Sequence, residues 1–133
     1  MKSLELDFSQ KINAMTKFSL VSKLIYLQIQ FKVFHWQTYS FSNHNAFGVL
    51  YGSLSDKIDQ FVETFQGIYG RIDFQGEIFA LDNLNSMNFQ EILDDQTSAL
   101  KTYESYFSDT DLLNIRDEIL GSLHQTKYLL TLM

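Results

Sequence analysis

Apolar residues recur along this chain at the three- and four-residue intervals that place them on one face of an α-helix, and no stretch of convincing length alternates as a strand would. The clearest stripe is formed by positions 47, 50, 51, 54, 58, 61, 62, 65, 68 and 69. It predicts a helix capped by Ser42 or Asn43 and ending near Gly70 or Arg71. Before it, roughly Ala14 to Gln37 carries Phe18, Val21, Leu24, Ile25, Leu27, Phe31 and Phe34 with further apolar residues between them, so most of that helix's circumference is expected to be buried, part of it by oligomer contact. A third helix begins at Asn88, where Asn-Phe-Gln-Glu supplies a cap with Glu91 three residues on, and runs through Ile92, Leu93, Leu100, Tyr103 and Phe107. A fourth, capped by Ser108 or Asp109, continues through Leu112, Ile115, Ile119, Leu123 and Leu130 to the C-terminus.

Four helices predict an all-α bundle. The joins between the first and second helices and between the third and fourth are short, which makes those pairs antiparallel neighbours. Ile72 to Met87 is the one long connection. The second helix spans on the order of 40 Å, and this segment, if extended, covers roughly 50 Å. It is long enough to cross the bundle, which leaves the second and third helices parallel. Its Ile78, Phe79, Leu81 and Leu84 argue for a packed crossover, with room for one short helical turn. That is the ferritin-like arrangement.

Composition narrows the chemistry. The 133 residues, 45% hydrophobic, fit a single domain, 1–133, with a continuous core. Without cysteine, a metal would be held by His, Asp and Glu, which points to iron, manganese or zinc. The N-terminus is neither a signal peptide nor a membrane span, so a soluble, cytoplasmic protein with no membrane partner is expected. A net charge of −6 and a pI near 4.8 argue against nucleic acid, whose backbone is bound by Lys and Arg. No Ser/His/Asp or phosphate-binding Gly-loop motif appears.

The polar residues of interest are His35, His44, Asp59 and Glu63. His35 closes the first helix and His44 opens the second, so a short turn puts both imidazoles at the same end of an antiparallel pair. Asp59 lies 15 residues beyond His44, roughly 22 Å along one helix, too far for a shared site within one chain. A twofold partner with its second helix antiparallel would bring its Asp59 and Glu63 to these histidines. Gly48, Gly52, Ser55, Asp59 and Glu63 fall along one flank, and the glycines suggest close approach of another helix. Asp59 and Glu63, four apart, can bridge a cation through hard oxygens. The bland alternative remains open: a histidine at a helix end is commonly a packed or capping residue, and an Asp/Glu pair is commonly solvated surface. His124, Asp94, Asp95, Asp117 and Glu118 read as packing, caps and surface.

Those residues resemble the Dps family, miniferritins that oxidise ferrous iron with peroxide and store it in a dodecamer of four-helix subunits. The family's His-Trp at the end of its first helix is matched by His35-Trp36. Its second-helix pattern is matched by His44, Phe47, Tyr51, Asp59 and Glu63, and the last helix is similar to DTDLLNIRDEILGSLHQTKYLL. The resemblance implies a ferroxidase with iron as substrate, with His35 and His44 from one subunit and Asp59 and Glu63 from the other as metal ligands and catalytic residues. Trp36 and Tyr39 or Tyr51 would then quench stray radicals. It also implies a homo-oligomer built through a twofold interface, up to a dodecamer, that protects against peroxide. The sequence departs from the family in four places, the first being a short crossover where the family's carries a small helix that packs at the subunit interface. The turn before His44 is three residues shorter, Gly48 stands where a carboxylate is common, and the Lys-rich DNA-binding tail of some members is absent. These departures fit the alternative expectation of a catalytically inactive ferritin-like structural or interaction protein, such as a component of a bacteriophage particle, which would place it in the virion.

Overall fold

A computed structural model describes residues 12–74, 76, 79–84 and 88–133. Among them the helices are α1 (Ala14–Gln37), α2 (Phe41–Tyr69), α3 (Phe89–Lys101) and α4 (Thr110–Leu129), with a 3-10 turn at Thr102–Ser105 and no strand. Each start has a local cause. Asn13 accepts from the Thr16 amide at 2.9 Å, and Asn88 accepts from the Gln90 amide at 2.8 Å, so both satisfy N–H groups that a first helical turn leaves unpaired. The second helix is capped by Ser40, whose hydroxyl accepts from the Asn43 amide. The turn before it is therefore shorter than the Ser42 or Asn43 cap expected from the sequence would leave. At its far end Gly70 takes φ 91° and ψ 167°, a backbone conformation open in practice to glycine alone.

Helix directions follow from which ends meet. Tyr69, at the end of α2, donates to the carboxylate of Asp109, at the start of α4, and Ser42 donates to the Leu132 carbonyl at 3.0 Å. These contacts make α2 and α4 antiparallel. Lys127 pairs with Asp94 at 2.6 Å, while Arg116 donates to the Leu100 carbonyl at 2.9 Å and to Glu104 at 3.0 Å, so α3 and α4 are antiparallel too. The α1–α2 pair runs antiparallel from His35–His44 at one end to the Lys17–Tyr69 carbonyl contact at the other. Asp109 stands at the start of α4 without capping it through its side chain, and one of its carboxylate oxygens accepts from the Tyr69 hydroxyl.

Two aromatic layers fill the core. Phe31, Phe34, Phe47 and Phe89 pack at the His35–His44 end. Phe61, Phe65, Tyr69, Tyr103 and Phe107 pack at the other. The last of these groups shows where the sequence pattern misled: Tyr103 and Phe107 keep the apolar spacing of α3, but the α-helix stops at Lys101, Tyr103 lies on the 3-10 turn and Phe107 beyond it, and both are buried. Arg116 holds that turn by bonding both the Leu100 carbonyl and Glu104.

The wide burial of α1 has a source inside the chain. Phe74 meets Phe18 edge-on at 5.7 Å. The fully buried Gln30 makes two backbone bonds to Asp82, accepting from its amide at 2.8 Å and donating to its carbonyl at 2.9 Å. Gln37 repeats the device, accepting from the Leu84 amide and donating to Asn83. Oligomer contact is thus not required to explain why α1 is apolar on more than one side. No described residue between Gly70 and Asn88 belongs to a helix, although Leu84 lies in a turn, and Ile78 lies outside the described residues.

Tyr103 is buried, its hydroxyl donating to the Leu20 carbonyl at 2.6 Å. Burial first, and Tyr106 second, push its phenol above the ordinary value. Below the unfolded value of about 10 its contribution to stability is complete. As pH rises past that point the unfolded chain loses this proton while the folded chain keeps it, so stability falls. Tyr103→Phe is expected to cost about 1 kcal/mol near neutrality through the lost bond. In denaturant titrations at pH values above 10, the gap between variant and wild type should narrow.

Candidate functional site

The tight turn that joins α1 to α2 brings His35 and His44 together. The Thr38 amide bonds back to the Phe34 carbonyl at 3.1 Å, closing α1, and the His44 amide reaches the Ser40 carbonyl at 2.9 Å in the first turn of α2. Three residues separate the helices, so the imidazoles lie face to face with ring centroids 3.8 Å apart and planes 18° from parallel. Each ring's Nδ1 is 2.7 Å from the other residue's backbone carbonyl. A carbonyl only accepts, so both Nδ1 atoms carry the proton, and in the neutral ring Nε2 is left with the lone pair. The His35 carbonyl is one of the last four of α1, which have no partner within the helix, and the His44 imidazole supplies one.

This is a reciprocal clasp, and it also has the form of a histidine prepared as a metal ligand, since such residues usually hold their second nitrogen on a carbonyl or carboxylate. The stack limits how it can be used. Lone pairs lying in near-parallel planes 3.8 Å apart do not converge on one ion at the usual metal–nitrogen distance of roughly 2.1 Å. One ring has to turn for a single ion to be shared, or each ring takes its own.

Gly48 makes the clasp possible. A Cβ built there would lie 2.9 Å from Cε1 and 3.1 Å from Nδ1 of His35. The sequence placed Gly48 among residues approached by a partner helix, or in the position of an absent carboxylate; in the structure the group that approaches it is His35 of the same chain. Gly52 does face open space, where an added Cβ would meet nothing within 4 Å.

The carboxylates stand apart from the histidines. Asp59 and Glu63 are exposed on α2, and among the described residues neither has an ion-pair partner. No group of three or more His, Asp or Glu side chains comes together among those residues. One chain therefore assembles His35 with His44 and leaves Asp59 with Glu63 elsewhere on α2. His124 is exposed, while Asp94 and Asp117 are occupied by Lys127 and Arg116.

Sequence reasoning missed Lys32. Its ammonium donates to the Tyr51 hydroxyl at 3.0 Å and lies over the rings of Tyr51, at 4.7 Å, and Trp36, at 5.2 Å. The signal was its spacing, since Lys32, His35 and Trp36 share one flank of α1 at three- and four-residue intervals. Among the described residues no carboxylate pairs with it.

Fold and site together define a class: a helical bundle whose first two helices are clasped by a stacked histidine pair, with an acidic pair further along the second helix. The chain belongs to the family of unknown function DUF5856, whose model matches residues 35–130, a span that starts at His35 and contains His44, Asp59 and Glu63. It is also 30% identical over 129 residues to an uncharacterized 14.6 kDa protein of the mobD-ri intergenic region of enterobacteria phage T4, a match covering 95% of this chain and 96% of that protein. No solved structure matches the chain. No helix among the described residues is long and apolar enough to cross a membrane.

The clasp predicts the sign of two glycine substitutions. Gly121→Ala, in α4 with open space around it, should gain up to about 1 kcal/mol from helix propensity. Gly48→Ala should show no such gain and a net loss on the order of 1 kcal/mol, because His35 must leave its position. Urea denaturation measures both, and the imidazole resonances of His35 should move only in Gly48→Ala.

Proposed function

We propose that this protein is a ferritin-like bundle of the Dps type that takes ferrous iron at a site shared by two copies of the chain and oxidises it with peroxide. The observation that carries the reading is the preparation of both histidines, whose Nδ1 atoms are fixed on carbonyls, leaving Nε2 as the ligand atom. The Asp59–Glu63 pair, exposed on α2, supplies hard oxygens from the second copy. The parallel course of α2 and α3 favours the ferritin-like topology, since the connection between them then crosses the bundle, and its contacts with Phe18, Gln30 and Gln37 follow α1 from one end toward the other. In the reaction two ferrous ions give one electron each to one peroxide, whose O–O bond breaks and, with two protons, yields two waters. Iron is the substrate; the chain's residues bind it, orient it and keep the subunits in place. The assembly would be a homo-oligomer through a twofold axis, extending to a dodecamer, in the cytoplasm.

A second reading draws on the closed stack and on Gly48. Rings that clasp a turn and a glycine that leaves a site one carboxylate poorer suit a ferritin-like protein that has kept its shape and lost turnover. Kinship with a phage T4 protein makes a particle component, resident in the virion, the natural form of that alternative.

Complementation separates the two. Anaerobic titration with ferrous iron should show His35→Ala, His44→Ala and Asp59→Asn each binding at least about tenfold more weakly than wild type, equivalent to ~1.4 kcal/mol. Mixing His44→Ala with Asp59→Asn chains should restore part of the binding and of the peroxide-driven ferric absorbance, because half of the sites in mixed dimers would be intact. Wild type that assembles yet binds no iron would favour the structural reading. With six excess acidic charges, neither form is expected to retard duplex DNA in a gel-shift assay at physiological salt.

A further inference from the structure

We infer that Lys32 is the cation that receives Asp59 of a second copy of this chain when no metal is bound, so that the subunits pair without metal and an incoming ion has to displace the lysine. The inference rests on the twofold reading above and goes beyond it in naming a contact that the metal site does not need.

Lys32 is partly buried and held in place by two residues, Tyr51 and Trp36. Its ammonium donates to the Tyr51 hydroxyl at 3.0 Å and sits over the Tyr51 and Trp36 rings. Hydroxyl and ring faces position a cation without neutralising it, and no carboxylate among the described residues pairs with it. Beyond it the chain is uncharged for a long stretch: from Val33 to Ser55 there is no Asp, Glu, Lys or Arg. Asp56, Asp59 and Glu63 then follow on α2, all exposed; Lys57 among them turns to the Ser122 hydroxyl of α4, and Lys17 of α1 is bonded to the Tyr69 carbonyl at the far end. The face formed by α1 and α2 thus has one half that carries a single cation among neutral groups and one half that carries acids.

Such a face is complementary to itself under a twofold rotation. With the axis at the level of Gly52, where a Cβ would meet nothing within 4 Å, position 59 of one copy falls opposite position 45 of the other. Side chains on a helix lean toward its N-terminus, so the Tyr51 hydroxyl and the ammonium bonded to it lie N-terminal to Tyr51 itself. The partner's Asp59 then comes within about one helical turn of Lys32, a gap of roughly 5 Å that a lysine side chain covers. Of the three acids, Asp59 shares the flank of Gly48 and Gly52, on the α1 side of the helix, whereas Asp56 is turned further away. The same Asp59 is a proposed iron ligand, so lysine and ion compete for it.

The test is the oligomeric state in EDTA, read by sedimentation equilibrium across protein concentration and ionic strength. Wild type is expected to associate without metal and to dissociate as salt rises. Lys32→Met, which keeps the aliphatic stem on the rings, and Asp59→Asn should each weaken association at least about tenfold, ~1.4 kcal/mol, with unchanged helical content. The double variant should be no weaker than either single one, and the exchange Lys32→Asp with Asp59→Lys should restore association. At protein concentrations where both are assembled, Lys32→Met should bind ferrous iron more tightly than wild type. Association in EDTA that is indifferent to Lys32→Met, or additive losses in the double variant, would overturn the inference. Loss of association in these variants with no iron bound by wild type would leave this contact standing and remove the iron site instead.

Discussion

The His35–His44 clasp sets the register of α1 against α2, and much of the rest of the molecule depends on that register. Two imidazoles that stack while each bonds the other's backbone tolerate almost no axial slip between the helices. Phe31 and Phe34 can then meet Phe47, Phe47 can meet Phe89, and the first aromatic layer closes. At the far end the same register carries Lys17 to the Tyr69 carbonyl, and Tyr69 in turn reaches Asp109 to place α4. A glycine at position 48 is the condition for all of this, because a side chain there would occupy the space of the His35 ring.

The bundle satisfies its buried polar groups by pairing them across elements. Gln30 is the clearest case, an amide with no exposure that hands both of its functions to the backbone of Asp82. Arg116 plays a similar part at the end of α3, and no buried side-chain nitrogen or oxygen among the described residues lacks a partner. An unpaired group in these positions would cost more than the bond contributes. The connection after α2 is therefore tied to α1 at defined levels rather than laid loosely over it.

Function, on this reading, is divided between copies. One chain places the imidazoles of His35 and His44 at one level of the α1–α2 pair and the carboxylates of Asp59 and Glu63 at another, separated by a distance that side chains do not bridge. In the proposed pairing, Lys32 would be the group that makes the face attractive to a second chain before any ion arrives. Iron binding and assembly would then share one set of carboxylates, which would couple them thermodynamically.

The sequence by itself determined what neighbouring residues settle among themselves. The bounds of α1 at Ala14 and Gln37, the Asn88 cap and the buried stripe of α2 were all readable, since caps and helical faces depend on groups three or four residues apart. The meeting of His35 with His44 was readable for the same reason, as the turn between them is short. The tertiary structure decided the rest. Ser40 took the cap because the chain reverses within three residues. Tyr103 left the α-helical path on a 3-10 turn whose Glu104 is bonded by Arg116 from α4, and Phe107 follows that turn. Gly48 proved to be space for a ring from another helix, and Lys32 gained its surroundings from Tyr51, 19 residues away. Contacts of this kind leave no periodic mark, because their energy comes from groups that only the packed fold brings together.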